Sequence, residues 1–334
     1  MKNKSFWFRI IFAAALIAII IYTFHGSWED IWQQITETSA LILIAIGGAS
    51  VVYHLFEAWI TYSLARRYNP RFHYRDAVYC AFFCSFYRLS TLGSGSGVAA
   101  VVFLGKKHVG YSEATGLYAI QYILHKISIA LFSGIFFVAN WRLMASHYRN
   151  YAGYLLLAYF LTLLISIGLV LMVVWPKFHH LLLCLVRKLN RGHRFDNTLQ
   201  KLESSTGILE ESGTKLLNDW RVIVSCILKN MAKLCFWYSI PFLILWQTGA
   251  VSLLTSFSVT SLSVMTAAVI PTPAGIGSTE LIMTSLYAVL VGSSQAAAVT
   301  LLYRAATFIF PFVVGAGCIL GERVVKRVRR LNPR

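Results

Sequence analysis

Of 334 residues, 57% are hydrophobic and only 13% are charged, with a mean hydropathy of +0.63. Soluble domains carry about 25% charged residues, so most soluble classes are excluded. The net charge of +17 would suit a nucleic-acid binder, but the cations sit between apolar runs, and an anionic membrane face is the expected partner instead of nucleic acid.

The first apolar run, residues 6–24, follows Lys2, Lys4 and Arg9. A signal peptide is the competing reading. The run is long for one and no small-x-small cleavage site follows, so an uncleaved anchor is expected. Further runs at 40–64, 114–139, 151–175, 220–248 and 295–320 are each about the 20 residues that cross ~30 Å of hydrocarbon as a helix. The fold class is therefore an all-α polytopic membrane protein with about six spans. Two more apolar stretches are broken. Residues 77–105 contain Gly93, Gly95 and Gly97 between serines, and residues 252–291 contain Pro271, Pro273, Gly275 and Gly277. Proline lacks the donor a helix needs and glycine is costly inside one.

Charge placement orients the chain. Of the 30 Lys and Arg, 23 lie at the N-terminus, in 65–76, at 106–107, in 176–221 and from Arg323 onward. The positive-inside rule puts all of these, and both termini, in the cytoplasm. The loop 25–39 carries Glu29, Asp30 and Glu37 without a cation and is expected outside. Both ends of 77–105 are then cytoplasmic and both ends of 252–291 external, so each reads as a re-entrant hairpin. Two short full spans apiece is the alternative.

The chain also resembles itself. At an offset of 182 residues, 93–114 and 275–296 align without a gap, with identities at Gly93, Gly95, Ser96, Leu104, Val109, Gly110, Ser112 and Ala114. Two halves, about 1–140 and 150–322, each read as span, span, hairpin, span, the second entering from the opposite side. That is the inverted-repeat plan of secondary transporters, whose broken helices meet near the midplane at the substrate site. Non-helical backbone at that depth needs protein or a wet cavity around it.

Ionisable residues within spans are functional candidates. Ser50, His54, Glu57 and Thr61 share one helix face; Gln121, His125 and Ser128 share another, with Lys126 adjacent; Lys229 and Lys233 lie one turn apart; Thr300, Arg304 and Thr307 line up. Mutual pairing as structural glue is the plain reading of each. It leaves an imbalance, because Arg88, Lys126, Lys229, Lys233 and Arg304 face only Glu57 and Glu280. Buried charges need partners, and a phosphate-bearing ligand would supply one. These eight residues (Arg88, Lys126, Lys229, Lys233, Arg304, Glu57, His125 and Glu280) form the candidate substrate site. Helices restarting after Gly97 and Gly277 would add amide groups and a positive dipole end. Ser278 is the expected cap of the second restart, with Glu280 in its first turn as either a structural acid or a titrating gate.

The run Pro271-Thr272-Pro273-Ala274-Gly275-Ile276-Gly277-Ser278-Thr279-Glu280 resembles the Pro-x-Pro-x-Gly-x-Gly-x-x-Glu signature of the lysylphosphatidylglycerol synthase/flippase transmembrane family. Ser90 through Gly97 to Lys107, with Val109 to Ala114, is similar to that family's first glycine-rich region, although Leu92 stands where a proline is usual. The resemblance covers nearly the whole chain and implies one flippase-like domain that moves a lipid between leaflets of the bacterial cytoplasmic membrane. Synthase members add a soluble aminoacyl-transfer domain, whereas this chain ends in a basic tail, 323–334. Phospholipids and polyprenyl phosphates therefore stand beside aminoacyl-phosphatidylglycerol as candidate cargo.

Other classes have less to stand on. An enzyme is not expected, since no Walker A run, metal cluster or nucleophilic triad is recognisable. His73-Tyr74-Arg75-Asp76 and His179-His180 read as membrane-edge polar runs. A transporter of small soluble anions would suit the same basic cavity. The six cysteines (Cys80, Cys84, Cys184, Cys226, Cys235 and Cys318) lack zinc-finger spacing and read as packing residues, so no cofactor or metal is expected. The basic loop 176–219 is expected on the anionic leaflet, or against a partner protein that synthesises the lipid.

Overall fold

The computed structural model describes residues 28–174, 219–270 and 272–331. The first apolar run and all of the 176–219 loop except Asp219 lie outside these residues. The described chain is all helical. It runs α1 (Trp28–Thr36), α2 (Ala40–Ala65), α3 (Tyr74–Ser90), α4 (Ser96–Lys106), α5 (Tyr111–Ala139), α6 (Trp141–His147), α7 (Ala152–Val174), α8 (Trp220–Tyr238), α9 (Ile240–Ile244), α10 (Leu253–Ala267), α11 (Ser278–Val291), α12 (Ser293–Arg304) and α13 (Phe310–Leu331).

Among the described residues, five helical runs are long and apolar enough to cross a bilayer: Ala40–Ala65, Tyr111–Ala139, Trp220–Ile244, Pro273–Val291 and Ser293–Glu322. The chain is a multi-pass membrane protein. Starts and breaks follow local chemistry. The hydroxyls of Ser39 and Ser252 accept from the amides of Ile42 and Thr255, and the Asp219 carboxylate accepts from Arg221, at the starts of α2, α10 and α8. The expected span 220–248 is broken after Tyr238 where Pro241 enters. The expected span 295–320 is likewise not one α-helix. A π turn, Ala305–Ile309, joins α12 to α13, and Pro311 cannot supply the amide that would close the α-helical bond to Thr307.

Among the described residues, two smaller apolar clusters and two large ones hold the helices. One gathers Ile46, Tyr148, Val259, Met283, Tyr287 and Tyr303. The other gathers Ala58, Leu64, Phe72, Leu104, Leu117 and Cys226. Helix α2 belongs to both, and between its residues in the two, Tyr53 joins Phe132, Leu234, Tyr238 and Met265 in a third cluster. Helices α3 and α13 approach so closely that a Cβ on Gly315 would lie 2.3 Å from the Phe82 carbonyl oxygen, the small-residue contact that membrane helices use to bring backbones together. Helix α10 buries Thr255, Ser256, Ser258, Thr260, Ser261 and Ser263. Their hydroxyls are satisfied internally, as in Ser263 to the Val259 carbonyl (2.7 Å), Ser256 to the Tyr238 carbonyl (2.6 Å) and Thr260 with the Tyr287 hydroxyl (2.7 Å).

The offset seen in the sequence recurs in the backbone. Helices start at Ser96 and Tyr111, and again 182 residues later at Ser278 and Ser293. Leu92 and Gly93 have φ of 51° and 90°, and their mates Ala274 and Gly275 have 56° and 71°. A non-glycine residue in this left-handed region is uncommon, so its recurrence at matched positions marks one turn built twice. The likeness ends at Gly95, whose φ is −96° where Gly277 has 84°.

Candidate functional site

The two breaks meet. A Cβ on Gly93 would stand 3.1 Å from the Ala274 amide nitrogen and 3.2 Å from its Cα, so the first turn touches the second backbone to backbone. Around this contact opens a cavity of about 690 Å³, a size typical of small-molecule sites (~300–1,000 Å³). Leu92, Gly93, Ser94 and Ser96 line it from one turn, and Thr272, Pro273, Ala274 and Gly275 from the other. Helix α4 begins at Ser96 with Gly95 as its N-cap, two residues before the expected restart, so Gly97 sits inside the helix. Pro271 lies outside the described residues.

The candidate residues separate into four placements. Arg88, His125, Lys126, Arg304 and Glu57 line the cavity. Lys233 is fully buried behind it and forms an ion pair with Glu57. The other Glu57 oxygen accepts from Gln121 Nε2 (2.6 Å), which lies in hydrogen-bond contact with Thr61 (3.1 Å). Tyr53, stacked on Trp237, offers its ring face to Lys233 at 5.1 Å. This is the structural-glue reading for that set. His54 belongs with it, bonded to the Ser50 carbonyl (2.8 Å) and Ser85 (3.0 Å).

Glu280 stands apart from the cavity lining. One of its oxygens accepts from the Gly277 amide (2.8 Å) and the other from Arg304 Nε (2.7 Å). The expected cap is thereby corrected. Gly277 holds the N-cap position, Ser278 already belongs to α11, and the carboxylate of Glu280 closes the turn. The Ser278 hydroxyl bonds instead to Thr272 (2.7 Å).

Lys229 is not brought to the site. Its Nζ donates to Ser63 (2.8 Å) and lies 4.7 Å from the ring of Trp59, a residue 46% exposed on the outer face. Ser63 is near the end of α2, nearly two turns beyond Glu57, so the two lysines of α8 meet α2 at different depths. Among the described residues no carboxylate pairs with Arg88, Lys126 or Lys229.

Sequence reading passed over Phe308. It lies in the π turn, lines the cavity and carries two guanidiniums, Arg304 at 4.4 Å from its centroid and Arg88 at 5.4 Å. Its position four residues after Arg304 was the available signal. Two buried nitrogens at the site, Arg304 Nη2 and His125 Nδ1, have no hydrogen-bond partner. Among the described residues no group of three His, Cys, Asp or Glu could hold a metal.

The model of the lysylphosphatidylglycerol synthase transmembrane region matches residues 6–315. The chain belongs to that family. No curated protein matches it. Within the lysylphosphatidylglycerol synthase transmembrane family, this chain places a cavity lined by cations where its two glycine-marked turns touch.

Proposed function

We propose that this protein moves phosphate-headed lipids between leaflets, the headgroup travelling through the central cavity while the tails stay in the bilayer. One observation carries the reading: the cavity joins both broken stretches and is lined by two cations, Arg88 and Lys126, that no carboxylate among the described residues neutralises. An unpaired charge in such surroundings is costly, and a phosphate ester relieves the cost. Family membership supports lipid as the cargo class. In this reading 77–105 and 252–291 are re-entrant hairpins of two inverted halves, with α1 on the outer side and the C-terminal end of α13 in the cytoplasm. Helix α11 is about 21 Å long and α4 about 17 Å, each short of the ~30 Å core. Pro273–Val291 reaches 19 residues only by including the turn where Ala274, Gly275 and Gly277 leave helical geometry. The chain acts as a transporter and not as an enzyme, and the chain contains no nucleotide motif through which ATP could drive it.

The test is the purified protein in liposomes carrying a fluorescent phosphatidylglycerol, with inner-leaflet probe read by its protection from dithionite. Protein without ATP should raise the rate at which probe becomes reducible. Rates equal to protein-free vesicles for every phosphate-headed lipid tried would end the proposal, and uptake of radioactive phosphate in the same vesicles would establish a soluble-anion carrier instead.

A further inference from the structure

We infer that the headgroup phosphate is seated between Arg88 and Arg304 over Phe308, and that this seat selects headgroups of net negative charge against aminoacylated, cationic ones. The inference rests on the lipid reading above and adds the place and the selectivity. Both guanidiniums lie within 5.4 Å of the same ring centroid, so their carbons are at most roughly 10 Å apart, and one phosphate bridges them where both stand over the same side of the ring. Arg304 is held through Nε by Glu280, which fixes its plane and leaves Nη2 buried without a partner. Guanidinium and phosphate match as a two-point hydrogen-bonded pair, and an orphaned buried N–H is a cost that a ligand oxygen removes. Arg88 lies in the last turn of α3, five residues before Gly93 and its contact with Ala274, so the seat lies where both halves meet. The π turn carrying Phe308 is the kind of helical irregularity that occurs often at functional sites.

Selectivity follows from what the carboxylates are already doing. Glu57 is taken by Lys233 and Gln121, and Glu280 by Arg304 and the Gly277 amide. Among the described residues, no carboxylate is left in the lining to receive an ammonium group. A lysylated headgroup would bring its cations against Arg88 and Lys126, and like charges brought together at a binding surface are strongly disfavoured. A phosphatidylglycerol-type or phosphomonoester headgroup meets only complementary charge.

The experiment compares fluorescent phosphatidylglycerol with its lysyl ester in the liposome assay, for the wild type, Arg88→Gln, Arg88→Lys and the rim variant Lys106→Gln. A parallel arm measures the thermal midpoint of the detergent-solubilised protein with and without inorganic phosphate. We expect wild type to move phosphatidylglycerol about tenfold faster than the lysyl ester. Arg88→Gln should lose about tenfold in rate and the phosphate-induced rise in midpoint, Arg88→Lys should recover part of both, and Lys106→Gln should match wild type. If wild type moves lipid while Arg88→Gln keeps its rate and its phosphate response, the seat is overturned and the transport reading stands. If no lipid moves yet phosphate still stabilises the protein through Arg88, the seat stands and the cargo is not a lipid. Equal rates for the two esters would overturn the selectivity.

Discussion

The two turns at the centre share a backbone and differ in their electrostatics. Leu92-Gly93 and Ala274-Gly275 repeat one pair of left-handed residues, yet the second turn is locked by Glu280 to both Gly277 and Arg304. The first has no acid. Its amide at Gly95 is held by the neutral Thr91 hydroxyl (2.7 Å), and Arg88 nearby has no carboxylate partner among the described residues. A turn built twice thus supplies one closed copy and one with charge to spare. In the proposed seat, the closed turn positions its arginine and the open one leaves its arginine for the ligand.

The most severe way to break the comparison is to unlock the second turn. Glu280→Gln removes the partner of an arginine only 12% exposed and should cost about 3 kcal/mol, read as thermal unfolding in detergent. Arg88→Gln, which breaks no ion pair among the described residues, should leave the midpoint nearly unchanged, and equal losses would mean the turns are not electrostatically distinct. Gly93→Ala should follow at about 2 kcal/mol, because it strains φ 90° and presses a methyl group onto Ala274. Adding Ala274→Gly should recover part of that loss by removing both its own left-handed strain and the Cβ of the contact. No recovery would show that the turns do not bear on one another. Thr91→Val should be milder, about 1 kcal/mol, as the neutral counterpart of the Glu280 change.

The smallest effect belongs to a pair at the edge of the molecule. Asp219 accepts from Arg67 Nη2 (2.6 Å), and that hydrogen bond holds its carboxyl below the usual aspartate value. A depressed value means the pair contributes above the ordinary aspartate range and ceases to do so as pH falls through the lowered one. Asp219→Asn should therefore lower the midpoint slightly at pH 7, with the difference from wild type closing in acid. A gap that stays constant down to pH 3 would point to packing instead of charge.

Hydropathy and the glycine and proline breaks made the helices and both turns legible, since those signals are local. The partners of the charges were not legible. Lys229 and Lys233 are one turn apart and look equivalent by spacing, but one faces Ser63 beside exposed Trp59 and the other meets Glu57 deep inside. That difference is depth against another helix, which spacing within one helix does not carry. Glu280 as the closing acid of the second turn was half visible, from its place in the first turn of α11. Phe308 stayed hidden because an aromatic residue in an apolar run has no sequence mark until two arginines arrive over it.

The Glu57–Lys233 pair also bears on how the protein is made. Its members are 176 residues apart, one on α2 and the other on α8. A chain synthesised from its N-terminus commits Glu57 to the membrane long before Lys233 exists. The contacts of Gly93 with Ala274, Phe82 with Gly315 and Arg67 with Asp219 cross between the halves in the same way. The earlier half of the chain must wait, with its acid uncompensated, for the later one to complete it.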